Sequence, residues 1–134
     1  MYLSPTDDQG RDLLMRRIEG PVTMLNLLRF RDDADYSESP ALAPTPPISG
    51  RDAYERYKAH TAPFLAAEGG DVLYEGEGAG WFIGPDERCD LVLLVRPAGV
   101  GAFLAMAMNG AYPTGMGHRS AAIADSRLLP LVGV

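Results

Sequence analysis

The sequence predicts an α+β fold, a four-stranded antiparallel sheet that carries its helices on one face. Three observations predict it. Residues 21–30 and 91–95 are apolar almost throughout, as strands covered on both faces are. Residues 50–68 and 98–124 instead show helical spacing, broken once at 110–117. The segments follow the order helix, strand, helix, strand, strand, helix, strand, with Gly or Pro at most joints. The chain of 134 residues makes one domain, long enough to bury about two-thirds of the surface its unfolded form exposes.

The first helix is capped by Ser4 or Thr6, with Asp7 and Asp8 at its positive end. Leu13, Leu14 and Ile18 give it an apolar stripe, and Gly20-Pro21 ends it. The central strand follows. One face carries Val22, Met24, Asn26, Leu28 and Phe30; the other carries Thr23, Leu25, Leu27 and Arg29. Asn26 stands out. A buried amide without partners costs about 1–3 kcal/mol, so Asn26 is either a structural clamp or the floor of a pocket.

Residues 31–49 hold Asp32, Asp33 and Asp35, then Pro40, Pro44, Pro46 and Pro47. Such a run is neither helix nor inner strand. It reads as a proline-rich inserted loop, mobile or crossing a partner subunit, and deletion of residues 35–46 is expected to leave a folded protein.

Ser49 or Gly50 opens the second helix, closed by Gly69-Gly70. Ala53, Tyr57, Thr61 and Phe64 form its inner stripe, with Tyr54 and Leu65 on one side and His60 on the other; Pro63 is expected to kink it. Residues 71–84 read as extended, bulged at Gly76-Glu77-Gly78-Ala79-Gly80. A turn at 85–88 leads into the strand at 89–96. Helix is expected at 98–109 and 118–124, and the last strand at 127–132. Behind its extra N-terminal helix this is β-α-β-β-α-β, the ferredoxin-like arrangement. Helices cover one face of that sheet, yet its strands are apolar on both. A second copy of the chain covers the other face most simply, giving a homodimer that buries on the order of 2,000 Å² or more.

The net charge of −6 excludes nucleic acid and anionic membrane surfaces as natural partners. No apolar run reaches membrane-spanning length, and residues 1–8 lack the features of a secretory signal. Cytoplasmic residence is the default. Cys89, the single cysteine, reads as a packed thiol.

There is no phosphate loop, paired-cysteine motif or nucleophile elbow, and no helix follows the glycine-rich 76–80 stretch. Neither a cofactor nor a metal is therefore expected. His60 and His118, the two histidines, could meet in space, but nothing in the spacing supplies carboxylates to make them a metal site. His60 is the best acid–base candidate; the alternative is a boundary histidine hydrogen-bonded to a loop. Arg119 is the best anion-binding candidate, against a salt bridge to Asp125 or the acidic loop. Trp81 lines a cavity or fills the core. Met106, Met108 and Met116 are pocket wall or core, and Tyr57 and Tyr112 are phenolic donors. Together Asn26, His60, Trp81 and Arg119 are expected to form a pocket on the helix-covered face.

The run Pro21-Val22-x-Met24-Leu25-Asn26-Leu27-Leu28-Arg29-Phe30 resembles the opening strand of the domain of unknown function 1330 family. The pattern His118-Arg119-x-Ala121-Ala122-x-x-Asp125-Ser126-Arg127-Leu128 is similar to its closing motif. So are Tyr54-x-x-Tyr57-x-x-His60 and Phe103-Leu104-Ala105-Met106 with Tyr112. The resemblance covers roughly residues 5–131 and implies the dimeric α/β barrel superfamily. That superfamily includes cofactor-free oxygenases that hold a phenolate or enolate with Asn, Trp and His, and also stress-related proteins. The resemblance thus implies one of two functions. The first is a cofactor-independent enzyme acting on an aromatic or enolisable carbonyl compound, with His60 moving the proton and Asn26 and Arg119 stabilising the oxyanion. The second is a non-catalytic dimeric protein that binds a small hydrophobic or aromatic ligand. The 31–49 insertion departs from the compact family pattern.

Overall fold

The computed structural model describes residues 2–107 and 115–133, with residues 105–107 described by their backbone alone. Its elements are α1 (Asp7–Met15), β1 (Val22–Phe30), α2 (Gly50–Ala67), β2 (Asp71–Glu77), β3 (Leu91–Arg96), α3 (Val100–Ala107), α4 (Met116–Ala122) and β4 (Ile123–Val132). The strands form one antiparallel sheet in the order β2-β3-β1-β4. This is the ferredoxin-like α+β fold that the sequence order predicts.

Local chemistry sets the helix starts. Thr6 and Gln9 close a capping box on α1, the Gln9 amide donating to Thr6 Oγ1 at 3.1 Å and the Thr6 amide to Gln9 Oε1 at 2.9 Å. Ser49 Oγ accepts from the Asp52 amide at 3.1 Å to start α2. Pro63 does not break α2, which continues to Ala67. α1 ends at Met15, short of the expected Gly20-Pro21; Leu13 on it and Ile18 after it pack against Val22, Met24 and Val100, while Leu14 is 57% exposed and leaves the expected stripe.

The parity of β1 holds. Val22, Met24, Leu28 and Phe30 are buried, and Leu91 and Leu93 of β3 lie across from Leu28 and Asn26 on the same face. On the opposite face Leu25 and Leu27 pair with Leu94 and Val92, and Leu129 and Tyr74 extend the apolar surface across β4 and β2. Among the described residues no helix covers it: Leu129 and Tyr74 are 56% and 58% exposed. The β2–β3 connection adds Phe82 and Ile83, which are 100% and 86% exposed.

Three expected boundaries shift. β2 stops at Glu77, and its register changes between Val72 and Tyr74 rather than in the glycine-rich stretch. β3 starts at Leu91 because Asp90 is committed to the end of β1: its amide donates to Leu28 O and its carboxylate accepts from the Phe30 amide, each at 2.8 Å. β4 starts at Ile123, directly after α4, and not at Arg127.

The 31–49 loop is the larger correction. It is folded onto its own subunit instead of standing away from it as an extended arm. The Arg31 and Asp35 amides donate to Ala122 O and Ala121 O at 2.8 and 2.9 Å, and Ala34 donates to Ile48 O at 3.0 Å. Tyr36 is buried in the core cluster, with Ala34, Leu42 and Ile48 packed against it. Burying a ring of this size stabilises by about 1.5–3 kcal/mol, so the loop is a wall of the core.

Candidate functional site

The buried ring of Tyr36 meets α4. Tyr36 Oη lies 2.8 Å from His118 Nδ1, and the two rings sit edge to face with centroids 5.6 Å apart. Burial raises the Tyr36 hydroxyl above its ordinary pKa, although the nearby Arg56 charge opposes the shift. Burial, with Arg56 and then His60 beside it, lowers His118. At neutral pH the pair is therefore a phenol and an uncharged imidazole.

Two glycines let the neighbouring elements close on α4. A Cβ at Gly115, the residue before the helix, would overlap the His60 ring. A Cβ at Gly117 would meet Leu42 Cδ1 and Ser39 Oγ, each at 2.6 Å. His60 comes from α2, where its ring also lies 5.4 Å from that of Phe64. The fold thus gathers Tyr36, Arg56, His60 and His118 from the loop, α2 and α4.

The sequence left open that His60 and His118 meet in space, and Tyr36 and Arg56 were not foreseen. The missed signal is Tyr36 itself, the one aromatic residue in the 31–49 loop. An isolated ring in an acidic, proline-rich stretch is a natural packing anchor.

Asn26 is half-buried on the helix-covered face, and its Nδ2 donates to Met24 O of its own strand at 3.2 Å. Tyr57 lies on α2 with its ring 5.3 Å from that of Tyr54, in a row that continues to Phe30. Met116 opens α4. Met106 falls in α3, where the backbone alone is described; Met108 and Tyr112 lie outside the described residues.

Trp81 and Arg119 go elsewhere. Trp81 is 45% exposed, and its indole donates to Glu87 O at 3.0 Å. It lines a cavity of about 80 Å³ with Leu27, Arg29, Cys89 and Arg127. Leu27 and Arg29 belong to the uncovered face, and Asn26 is not among the residues that line this cavity. Arg119 donates from Nη1 to Leu3 O at 2.6 Å and from Nη2 to Ser126 Oγ at 2.8 Å, holding the N-terminal segment against β4. The four residues expected to share one pocket do not converge: Trp81 and Arg119 are replaced around His60 by His118, Tyr36 and Arg56. Among the described residues no group of three or more His, Cys, Asp or Glu could hold a metal ion.

No family model and no curated protein matches the chain. Among solved structures, the RPA0582 protein of unknown function from Rhodopseudomonas palustris is 32% identical, with a TM-score of 0.88 over 99% of this chain and 97% of that one. Its methylated form gives the same identity and TM-score over 95% of that chain. The chain belongs to the family of this Rhodopseudomonas palustris protein. A Bacteroides fragilis protein, described as dimeric, of unknown function and ferredoxin-like, is similar at 12% identity with a TM-score of 0.51 over 84% of this chain and 96% of that one. At that distance the likeness bears on the fold alone. Among the described residues no helix is long and apolar enough to cross a membrane.

Proposed function

We propose that the His60–His118–Tyr36 group is the acid–base centre of a small-molecule enzyme that needs no bound cofactor. Its substrate is an enolisable or aromatic carbonyl compound. One observation carries this reading: the buried Tyr36 phenol lies 2.8 Å from the half-buried His118 imidazole, with the His60 imidazole near it. The Tyr36 hydroxyl donates to His118 Nδ1, which leaves the His118 proton on Nε2. That N–H donates to the carbonyl oxygen while His60 takes the α-proton. The electron pair moves onto the oxygen as an enolate, and reprotonation completes the turnover. His118 takes the oxyanion-binding role that the sequence suggested for Arg119. Because Arg56 lies nearby, an anionic intermediate suits the site better than a cationic one.

Deuterium exchange at the α-carbon in D2O, across a panel of β-keto acids and quinols, tests the proposal. Exchange that falls at least about 100-fold in both His60→Ala and His118→Gln is the expected result. A folded protein that binds panel members without exchanging them overturns it in favour of a non-catalytic binder.

We further propose that two copies pair through the uncovered sheet face, with Phe82 and Ile83 buried at its edge. An apolar surface of this extent exceeds what a soluble monomer normally leaves open. Membership of the domain of unknown function 1330 family is proposed on the motifs around Asn26 and His118. Cytoplasmic residence is proposed because the lone, unpaired Cys89 suits a reducing compartment.

A further inference from the structure

We infer that the cavity bounded by the N-terminal segment, the start of the 31–49 loop and α4 binds a small oxyanion, a carboxylate or a phosphate. The inference does not rest on the acid–base reading, because neither His60 nor Tyr36 lines this cavity. Its volume is about 160 Å³, enough for a few heavy atoms, and both Arg31 and Arg119 line it.

Three features point to an anion. Arg31 Nε is shielded from solvent and has no hydrogen-bond partner among the described residues. Buried donors in native proteins are almost always paired, so the Arg31 guanidinium beside the cavity carries a donor for which the described residues supply no acceptor. Arg119 is held in place by Leu3 O and Ser126 Oγ, which occupy two of its five donors. A guanidinium already fixed by the protein loses little freedom when it binds. Finally, Ser4 and Ser120 line the same space, and serine hydroxyls suit oxyanion oxygens.

Asp35 and Glu38 also border the cavity. Asp35 is already engaged: its Oδ1 accepts from the Ser37 amide at 3.0 Å, and hydrogen bonds from Ser37 hold its pKa below the ordinary value. With two carboxylates facing two guanidiniums, general attraction is nearly balanced. Selection therefore rests on the planar donor geometry of the arginines, which matches carboxylate and phosphate oxygens.

Isothermal titration with inorganic phosphate and, separately, acetate tests the inference against a sodium chloride control of equal ionic strength. The expected result is saturable binding of at least one probe, one per subunit, weakened at least about tenfold in Arg31→Met. Which probe binds decides between phosphate and carboxylate. Arg119 also anchors Leu3, so Arg31→Met carries the mutational test. Should that variant misfold, the Arg31 Nε–H resonance of the wild-type protein is followed through the same titration and is expected to shift. No saturable binding of either probe, undiminished binding in folded Arg31→Met, or a fixed Arg31 Nε resonance overturns the inference.

Discussion

Replacing Tyr36 by Phe removes one hydroxyl and leaves the ring, so it isolates the bond to His118. The ring is only 8% exposed, and the hydroxyl lies 2.8 Å from His118 Nδ1. The net loss of such a bond is about 0.5–1.5 kcal/mol, and the cost rises toward 3 kcal/mol when the remaining partner stays buried and unpaired. His118 is half-buried, so water compensates in part, and about 1–2 kcal/mol is expected. For a chain of 134 residues the unfolding entropy near the midpoint is about 0.28 kcal/mol/K, which converts this to a Tm loss of about 4–7 °C. Thermal melts at pH 8 and one fixed protein concentration measure it, since association would make Tm depend on concentration. Tyr36→Ala, which also removes the ring, should cost about 3–5 kcal/mol. If Tyr36→Phe melts within 1 °C or so of wild type, the hydroxyl is solvated and the pair is not a unit.

The depressed pKa of His118 sets a pH dependence. Its contribution to stability is complete above the unfolded value of about 6.5 and fades as pH falls through the lower folded value. The wild-type minus His118→Gln stability difference should therefore shrink on acidification below about pH 6.5; a flat difference would contradict the shift. Gly115→Ala forces a methyl group into the His60 ring and should cost about 1–3 kcal/mol, read from denaturant midpoints; a neutral substitution would mean that α2 and α4 are not in close contact. Sedimentation at low micromolar concentration should give a dimer, and Leu25→Asp on the uncovered face should weaken it; a compact 14.4 kDa wild-type species would remove the proposed pairing.

Legibility in the sequence followed the range of the forces involved. The β1 and β3 runs were readable because strand parity is local: the alternation from Val22 to Phe30 determines which side chains are buried. The helix starts were readable for the same reason, as Ser4 or Thr6 and as Ser49 or Gly50, of which Thr6 and Ser49 are the caps. Trp81 was misplaced because parity does not survive the register change in β2 and the irregular residues 78–90. The loop misled through its composition. Four prolines and three aspartates suggest solvation, whereas the loop around Tyr36 is held by hydrogen bonds from the Arg31 and Asp35 amides to Ala122 O and Ala121 O, more than eighty residues away. Contacts of that separation leave no periodic trace. Arg119 was read as an anion binder or a partner of Asp125, whereas it donates to Leu3 O and Ser126 Oγ, acceptors that arise only when the N-terminal segment meets β4.

The most direct test of the proposed site is the protonation of His118, and a chain with two histidines makes it clean. In protein carrying 15N-labelled histidine, NMR titration separates the two ring nitrogens of each residue. The account predicts that His118 is uncharged at pH 7, carries its proton on Nε2, leaves Nδ1 as acceptor, and titrates below 6.5. In Tyr36→Phe that preference for one tautomer should relax. A His118 that is protonated on Nδ1, or that titrates at or above 6.5, would contradict the pair on which the proposed chemistry stands.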